Sequence, residues 1–326
     1  MKETPDRIAL VMGVGRSGTT FLAKLIDTAP DVLYRHEPDL VLSTDLPMLC
    51  DIDQCRPRLS EAKDYVRAMA SCSHWRSVGT RPLFSKSYRS KPGNLAYRTM
   101  LFSSKAARRL RLPVADNVPD MVTSDRRNLL HLIKSVTSLG RAGLYRKAVP
   151  NLASIHIVRH PCASFASLHL GMKKGLMPPK FSVEPYLDHP ETQNYPFTLE
   201  DIAGATLEEQ VAYRWMLAND KAAADMDGSP NYLRIRYEDL CTDVEHVSKA
   251  VFDHLGIERS QQTRRFIDEI SQTPAPDSRP VGYFKIKRPI TSAVDKWKSQ
   301  LEPETVERIR NIVCHSPLGR GYFEDA

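Results

Sequence analysis

A glycine-containing segment near the N-terminus, residues 13–20, combines residue types that bind anions. Its glycines allow the backbone to turn tightly and to approach a ligand closely. If a helix begins here, its free N–H groups and the positive end of its dipole hold an anion, and the guanidinium of Arg16 adds a fork of charged donors. The segment therefore predicts a phosphate or sulfate site. Its donors would come from Gly15, Arg16, Ser17, Gly18, Thr19 and Thr20.

The same segment nearly matches the G-x-x-x-x-G-K-[ST] loop of nucleoside triphosphatases. Gly13, Gly18 and Thr20 fit that pattern, but Thr19 stands where the pattern has lysine. In such enzymes the lysine reaches the β- and γ-phosphates, and the neighbouring hydroxyl holds Mg²⁺. The missing lysine argues against an ATPase or GTPase. A ligand with a 5′-phosphate bearing one further group, and no required metal, fits better. A P-loop nucleotide kinase or NTPase-like enzyme is the alternative.

Charged and aromatic side chains also follow short apolar runs elsewhere in the chain. Arg159 follows one such run, and Tyr237 lies just after a second. His36 and Glu37 follow a third. Short continuous apolar runs are typical of buried parallel strands. Because ligands bind beyond the carboxyl ends of the strands in such sheets, we expect these side chains to lie at the same edge as the glycine-containing segment.

The elements that would position these residues alternate along the chain. Strands are predicted at 8–12, 32–34, 129–134, 154–158 and 232–235. Helices are predicted at 17–28, 161–171, 207–225 and 244–255. Alternation of this kind predicts an α/β fold, namely a P-loop-like parallel sheet of about five strands flanked by helices.

Residues 40–128 contain prolines and several basic residues but no clean hydrophobic period. We expect helical pieces near 60–72 and 96–110, and therefore a mainly helical insertion over the edge of the sheet. Insertions of this kind often shape a substrate site. The chain 1–326 is expected to form a single domain that includes this insertion.

The composition limits the classes of function. Lys and Arg number 46 against 39 for Asp and Glu, which gives a formal charge of +7 and favours anionic ligands. The basic residues are scattered, so no nucleic-acid partner is expected. None of the six cysteines forms a C-x-x-C pair, which argues against zinc and favours free thiols. The sequence shows neither a signal peptide nor an apolar run long enough to cross a membrane, so a cytoplasmic location is expected.

Three segments carry a resemblance to a known family. They are GVGRSGTTFLAKLID at 13–27, IHIVRHPCASFASLHLGM at 155–172 and RIRYEDL at 234–240. They resemble the motifs of sulfotransferases that use PAPS (3′-phosphoadenosine-5′-phosphosulfate). The resemblance implies that the chain moves the sulfuryl group of PAPS to an acceptor hydroxyl and releases PAP, without a metal.

The resemblance also implies roles for residues outside the loop. By this likeness, Arg159 and Ser167 bind the 3′-phosphate of the donor, and Tyr237 lies by the adenine. Basic residues near the C-terminus, Lys287 and Arg288, are expected to cap the 3′-phosphate.

The catalytic base distinguishes two branches of that family. The phenol- and steroid-type branch has Lys-Thr-His after its third strand, whereas residues 134–136 here are Lys-Ser-Val. Lys134 is kept, but Val136 stands at the position of the base. The sequence RHEPD at 35–39 instead resembles the Glu-Pro segment of carbohydrate-type members. This likeness implies that Glu37 is the base, with His36 as the second choice, while Arg16 and Lys134 hold the sulfuryl group during in-line displacement.

Two alternatives stay open. If Glu37 pairs with Arg35 or Arg16, it only shapes the loop, and the cations push its pKa down. A non-catalytic protein that binds anionic polysaccharides also fits the charge of +7, although it needs none of the motif spacing. The acceptor is expected to be a carbohydrate or another small molecule. No membrane partner is expected, and the sequence leaves the oligomeric state open.

Overall fold

A computed structural model describes residues 6–123, 128–177, 194–271 and 294–324 of the chain. Its five strands are β1 (Arg7–Met12), β2 (Val32–His36), β3 (Leu130–Ser135), β4 (Ala153–Val158) and β5 (Tyr232–Arg236). They form one parallel sheet in the order β2-β3-β1-β4-β5. The sheet is flanked by helices, which confirms the predicted α/β fold.

Within those ranges the chain forms thirteen α-helices. They are α1 (Thr19–Asp27), α2 (Leu59–Ser71), α3 (Trp75–Val78), α4 (Lys91–Arg109), α5 (Ala142–Ala148), α6 (Pro161–Lys173), α7 (Leu199–Ala203), α8 (Leu207–Met226), α9 (Tyr237–Thr242), α10 (Val244–Leu255), α11 (Gln261–Ser271), α12 (Pro303–Val313) and α13 (Pro317–Glu324).

Alternate residues of β1 enter two different cores, one on each face of the sheet. Ala9 and Val11 pack with apolar residues of α1, α10 and α11. Leu10 and Met12 pack with residues of α2, α5, α6, α8 and α12. Both faces of the sheet are therefore buried at β1. This explains why the strand is a continuous apolar run in which polar residues do not alternate with apolar ones. Each fully buried Leu or Met contributes roughly 1.5–3 kcal/mol.

The register of the strands brings their carboxyl ends to one edge. Lys134, near the end of β3, lies opposite Val11 of β1 and His36 of β2. Met12, the last residue of β1, lies opposite His156 of β4. Residues that follow these strands therefore share one edge of the sheet, as the parallel order predicts.

Element boundaries differ from the prediction for local reasons. Helix α1 begins at Thr19 and not at residue 17, because Gly18 has φ 95° and breaks the helical path. Strand β2 continues to His36, since its pairing with β3 extends that far. Helix α4 begins at Lys91 and not near 96. Its cap is Ser90, whose side chain accepts a hydrogen bond from the backbone N–H of Gly93 at 3.1 Å, a common start of a helix.

The segment between β2 and β3 carries α2, α3 and α4, which confirms the helices expected near 60–72 and 96–110. Buried ion pairs fasten it to the sheet and to α1. Arg35 of β2 donates to Asp120 at 2.8 Å, and Lys86 donates to Asp27 of α1 at 2.7 Å. Removing one partner of such a pair costs about 3–5 kcal/mol, so these contacts hold the segment against the sheet.

No helix in the described ranges is both long and apolar enough to cross a membrane. All six cysteines are free thiols, as the sequence predicted.

Candidate functional site

The anion loop (residues 13–20) joins β1 to α1 in a strained conformation. Arg16 has φ 75°, in the left-handed region that side chains other than glycine rarely adopt. The backbone N–H of Ser17 donates to the carbonyl of Val14 at 3.1 Å and closes the turn. Strain of this kind costs on the order of 1–3 kcal/mol and persists only where the surroundings enforce it, most often at functional sites.

At two positions of the anion loop, neighbouring atoms leave no room for any side chain larger than that of glycine. A Cβ on Gly18 would overlap the ring of Tyr237, and one on Gly13 would lie 2.5 Å from the carbonyl oxygen of Ile157. Gly15 differs, because no atom outside its chain neighbours lies within 4 Å of its Cβ position. The loop is thus packed tightly against β4 and the start of α9, while its middle faces open space.

The hydroxyl of Ser17 lies inside the loop and is fully buried. It has no hydrogen-bond partner within the described residues. A buried hydroxyl left unpaired costs about 1–3 kcal/mol, so this atom is suited to donate to a ligand oxygen. Thr19 is buried beside it, and Thr20 is partly buried at the start of α1.

Side-chain hydrogen bonds join the anion loop to the next strand of the sheet. The Nε of Arg16 donates to the hydroxyl of Ser167 on α6 at 3.0 Å. The Nη1 of Arg159, just after β4, donates to the carbonyl of Arg16 at 3.0 Å. The structure therefore brings together the loop and both residues that the second motif singled out.

Tyr237 completes this group from the end of β5. Its ring packs against Gly18, and the guanidinium carbon of Arg159 lies 4.5 Å from the ring centroid. A guanidinium over an aromatic ring at this distance contributes about 0.5–2 kcal/mol. Burial raises the pKa of the Tyr237 hydroxyl, so it stays neutral. The contact with the loop places Tyr237 in the predicted cluster, while its role at an adenine stays a prediction.

Contacts that sequence reasoning missed hold Arg159 and its neighbour in place. The indole N–H of Trp215 donates to the carbonyl of Arg159 at 2.9 Å. The backbone N–H of His160 donates to the carboxylate of Glu238 at 3.0 Å, and its ring stacks on Trp297 at 4.3 Å. No local sequence pattern links Trp297 to residue 160, so the motifs could not predict this contact.

A second group of predicted residues lies where β2 and β3 end. Lys134 forms an ion pair with Glu37, and the backbone N–H of Glu37 donates to the Lys134 carbonyl at 2.7 Å. Glu37 has φ 44°, in the left-handed region, which turns its side chain towards the lysine. The lysine side chain is only 2% exposed, whereas that of Glu37 is 20% exposed. The carboxylate is thus the member of the pair that solvent or a substrate reaches.

The carboxylate of Glu37 is ionised over a wide pH range. Burial alone would raise its pKa, but the neighbouring charges of Lys134, His36 and Arg16 lower it below the usual 4.5. The alternative pairing with Arg35 is wrong, because Arg35 binds Asp120 on the buried side of the sheet.

His36 lies beside the pair and is neutral near pH 7. Burial and the charge of Lys134 lower its pKa to about 4. One ring nitrogen, Nδ1, lies 2.8 Å from the hydroxyl of Tyr34, and Nε2 lies 3.8 Å from the Glu37 carboxylate. His36 therefore lies near Oε2 of Glu37, whereas Lys134 binds Oε1.

Asp39 is a further member of this group that the sequence reasoning did not name. Its Oδ2 accepts hydrogen bonds from Ser135 at 2.6 Å and from Thr137. Ser138 in turn donates to Ser135 at 2.7 Å. The hydroxyls that follow β3 thus hold the turn after Glu37, and Val136 between them contributes no base.

Two parts of the predicted site remain without a structural test. Lys287 and Arg288 lie outside the described residues. In the described part of the chain, no group of three or more His, Cys, Asp or Glu side chains could hold a metal ion. Independence from metal ions stays a prediction.

The chain matches the sequence model of the sulfotransferase family over residues 9–261, which span nearly the whole sheet. The chain belongs to the sulfotransferase family. No curated protein matches it in sequence. A sulfotransferase moves a sulfuryl group, so family membership favours this reaction over the kinase and polysaccharide-binding alternatives.

Solved sulfotransferase structures are similar to the chain only at low identity. The sulfotransferase domain of the Synechococcus PCC 7002 olefin synthase is 16% identical, with 95% of each chain covered and a TM-score of 0.46. A sulfotransferase from Alicyclobacillus acidocaldarius is 14% identical, with 99% and 95% covered and a TM-score of 0.44. A mouse sulfotransferase complexed with PAP is 13% identical, with 99% and 90% covered and a TM-score of 0.43.

Proposed function

We propose that this sulfotransferase moves the sulfuryl group of PAPS to a hydroxyl of a carbohydrate or other small molecule, with Glu37 as the general base. The observation that carries the proposal is the direct contact between the two anion-binding motifs. Arg16 reaches Ser167 at 3.0 Å, and Arg159 reaches the carbonyl of Arg16 at 3.0 Å. One bisphosphorylated nucleoside is therefore able to contact both motifs at once.

The residues of the loop fit the 5′ end of such a donor. Gly15 leaves open space above the backbone, and the buried Ser17 hydroxyl is unpaired in the described structure. Backbone N–H groups at the start of α1 add donors, as at other helix N-termini that bind phosphate. Arg159 and Ser167 would hold the 3′-phosphate, together with Lys287 or Arg288. PAPS would supply the sulfuryl group. The protein would orient the reactants and place fixed charges around them.

Lys134 and Arg16 would stabilise the charge that develops on the sulfuryl oxygens, with help from Thr19 and Thr20. In transfers of this kind the protein contributes mainly by orienting the reactants and by placing fixed charges. Both cations also lower the pKa of Glu37, and in this proposal they would serve the donor and the acceptor together.

Glu37 would accept the proton of the acceptor hydroxyl. Its lowered pKa keeps the carboxylate ionised and ready to accept a proton, but also makes it a weaker base. Close positioning of the hydroxyl must offset that weakness. A positioned base typically contributes about 10²–10⁴-fold to the rate. The segment 40–128 would shape the acceptor site, since it begins three residues after Glu37.

Calorimetry tests the donor half of the proposal. We expect PAP to bind the purified chain and ATP–Mg²⁺ to bind far more weakly. Failure to bind PAP at millimolar concentration would overturn PAPS as the donor. An acceptor screen with labelled PAPS, read by product mass, then identifies the acceptor class.

The base is tested by Glu37→Gln, with His36→Asn as the matched control. Glu37→Gln should retain PAP affinity and lose turnover by about 10²-fold or more. His36→Asn should retain most turnover, because His36 is neutral near pH 7 and its Nε2 lies 3.8 Å from the Glu37 carboxylate, beyond hydrogen-bond distance. The reverse result, with His36→Asn inactive and Glu37→Gln active, would assign the base to His36.

A further inference from the structure

The outer surface of α4 and the residues after it have an unusual charge. From residue 91 to residue 112 the chain has six Lys or Arg and no Asp or Glu. This stretch alone carries six of the seven net positive charges, and the rest of the sequence has a net charge of only +1. The acidic residue that follows, Asp116, pairs with Arg108 at 2.9 Å and offsets only one of the six charges.

The same stretch exposes large apolar side chains. Nine such side chains are exposed in the described ranges, and four of them lie here: Leu95, Phe102, Leu110 and Leu112. They are 68%, 46%, 72% and 54% exposed, respectively. Single exposed leucines are common on protein surfaces. Four within 18 residues, on a stretch with no acidic residue, are a feature that marks an interaction surface.

The periodicity of α4 separates its two sides. Tyr97 and Leu101 are buried against the protein together with Val78 and Val118. At 3.6 residues per turn, Leu95 and Phe102 share a different face of the helix. Lys91, Arg98, Lys105 and Arg109 lie along the border of that exposed face, within about half a turn of it. Apolar side chains bordered by cations are typical of helices that lie in the surface of a membrane.

The neighbouring residues extend this surface. The half-buried Trp75 of α3 contacts the guanidinium of Arg108 at 4.7 Å and that of Arg76 at 5.4 Å from its ring centroid. The guanidinium of Arg81 lies 4.4 Å from the ring of Phe102. Arginines stacked on aromatic rings keep their charge at the surface while their stems cover apolar area.

We propose that this surface, defined by α4 and residues 110–112, binds an anionic lipid membrane peripherally. The negative headgroups would contact the basic border, and the exposed apolar side chains would enter the boundary between headgroups and acyl chains. Each Lys or Arg near an anionic membrane contributes about 1 kcal/mol of attraction, equivalent to about fivefold in affinity. The surface needs no helix that crosses the membrane.

Other occupants fit the surface less well. A second copy of the same face would bring six positive charges against six, which opposes self-association. An anionic polysaccharide would satisfy the cations but would leave the four apolar side chains in water. The lipid surface is the occupant that matches both properties.

Side-chain contacts also link the proposed membrane surface to strand β2, which precedes the candidate site. The guanidinium of Arg89 lies 3.5 Å from the ring centroid of Tyr97 on α4, and its Nε donates to the carbonyl of Asp120. Asp120 binds Arg35, which precedes Glu37 by two residues on β2. A membrane bound at α4 would therefore hold the edge of the sheet in a fixed orientation. The inference itself does not depend on the identity of the donor or acceptor.

Co-sedimentation of the full chain with lipid vesicles tests this proposal. We expect binding to phosphatidylcholine vesicles that contain phosphatidylglycerol, weak binding to phosphatidylcholine alone, and loss of binding as salt is raised. Arg109→Glu should weaken binding about 25-fold, because it removes one attractive charge and adds one repulsive charge, whereas Lys63→Glu, at an exposed lysine on α2, should leave binding unchanged. Leu95→Ser should weaken binding, and Leu199→Ser, at another exposed leucine on α7, should not. Thermal melting confirms that each variant is folded.

Several results would overturn the proposal. One is the absence of vesicle binding by the wild type, and another is equal loss of binding in Arg109→Glu and Lys63→Glu. Binding to heparin without binding to vesicles would assign the surface to a polysaccharide. A dimer in analytical ultracentrifugation that Leu95→Ser dissociates, without vesicle binding, would assign it to a second copy of the chain.

Discussion

The two halves of the candidate site use charge in different ways. On the donor side, formed by the anion loop, Arg159, Ser167 and Tyr237, the guanidinium groups contact a hydroxyl, a carbonyl and an aromatic ring. On the acceptor side, formed by His36, Glu37, Lys134 and Asp39, a lysine faces a carboxylate. On the donor side these contacts orient two guanidinium groups beside the anion loop. On the acceptor side the charges of the lysine and the carboxylate offset each other. In the proposed function, the first arrangement binds an anion and the second positions a proton acceptor.

This difference predicts separable effects of mutation, and the largest is expected on the acceptor side. Lys134→Met should lower kcat by about 10²–10³-fold, because a fixed charge near the reacting group is lost. Affinity for PAP, measured by calorimetry, should change by much less. Lys86→Met is the matched control, since Lys86 is also a buried lysine paired with a carboxylate. It should lower the melting temperature and leave kcat intact, and an equal fall in kcat would contradict the division into two sides.

On the donor side, Arg159→Ala should weaken PAP binding by about ten- to a hundredfold, because a charge-assisted hydrogen bond contributes about 1.5–3 kcal/mol. At saturating PAPS, kcat should be close to that of the wild type. Arg234→Ala is the control, as Arg234 lies on β5 and pairs with Asp227. A large fall in kcat with unchanged PAP affinity would move Arg159 to the chemical step.

The conformation of the anion loop is expected to matter for stability as well. Gly18→Ala should destabilise the fold by about 1–3 kcal/mol, because the residue has φ 95° and faces the ring of Tyr237. Gly15→Ala should cost less, since its Cβ would meet open space. Urea unfolding followed by circular dichroism measures both. The double variant Gly18→Ala with Tyr237→Ala should recover part of the loss, and no recovery would argue that backbone strain alone is responsible.

The last prediction concerns the pH dependence of stability. Burial lowers the pKa of His36, His156 and His160 from 6.5 to about 4. Below pH 6.5 the unfolded chain binds protons that the folded chain cannot, so the free energy of unfolding should fall as the pH drops from 6.5 towards 4. Each histidine contributes about 1.4 kcal/mol per pH unit in that window. Urea unfolding at pH 7, 6 and 5 checks this, and constant stability would contradict it.

Much of the fold could be predicted because both faces of the sheet are buried. Strands such as β1 are then uninterrupted apolar runs, which one sequence is enough to reveal. The ends of the strands give the edge on which Arg159 and Glu37 lie. Helix α4 was harder to place, because only one of its sides is buried, against Val78 and Val118, while the other exposes apolar residues. Because apolar residues occur on both sides of α4, the sequence shows no clear helical period of hydrophobic residues there.

The site could be predicted as a set of residues but not as a set of contacts. The motifs named Arg16 and Ser167, yet a hydrogen bond between residues 151 positions apart has no local signature. The left-handed backbone conformation of Arg16 could not be predicted either, because turns of this kind normally use glycine. Asp39 was missed since its partners, Ser135 and Thr137, are joined to it only by the register of β2 against β3.

The packing around β4 places tryptophan side chains where their fluorescence is expected to report nucleotide binding. Two of its three tryptophans adjoin consecutive residues at the donor side: Trp215 is hydrogen-bonded to Arg159, and Trp297 is stacked on His160. Their fluorescence should therefore change when a phosphate binds the Arg159 guanidinium. Nucleotide occupancy would then be readable from intrinsic emission, without a label or a coupled enzyme, in the wild type and in every variant that retains both indoles.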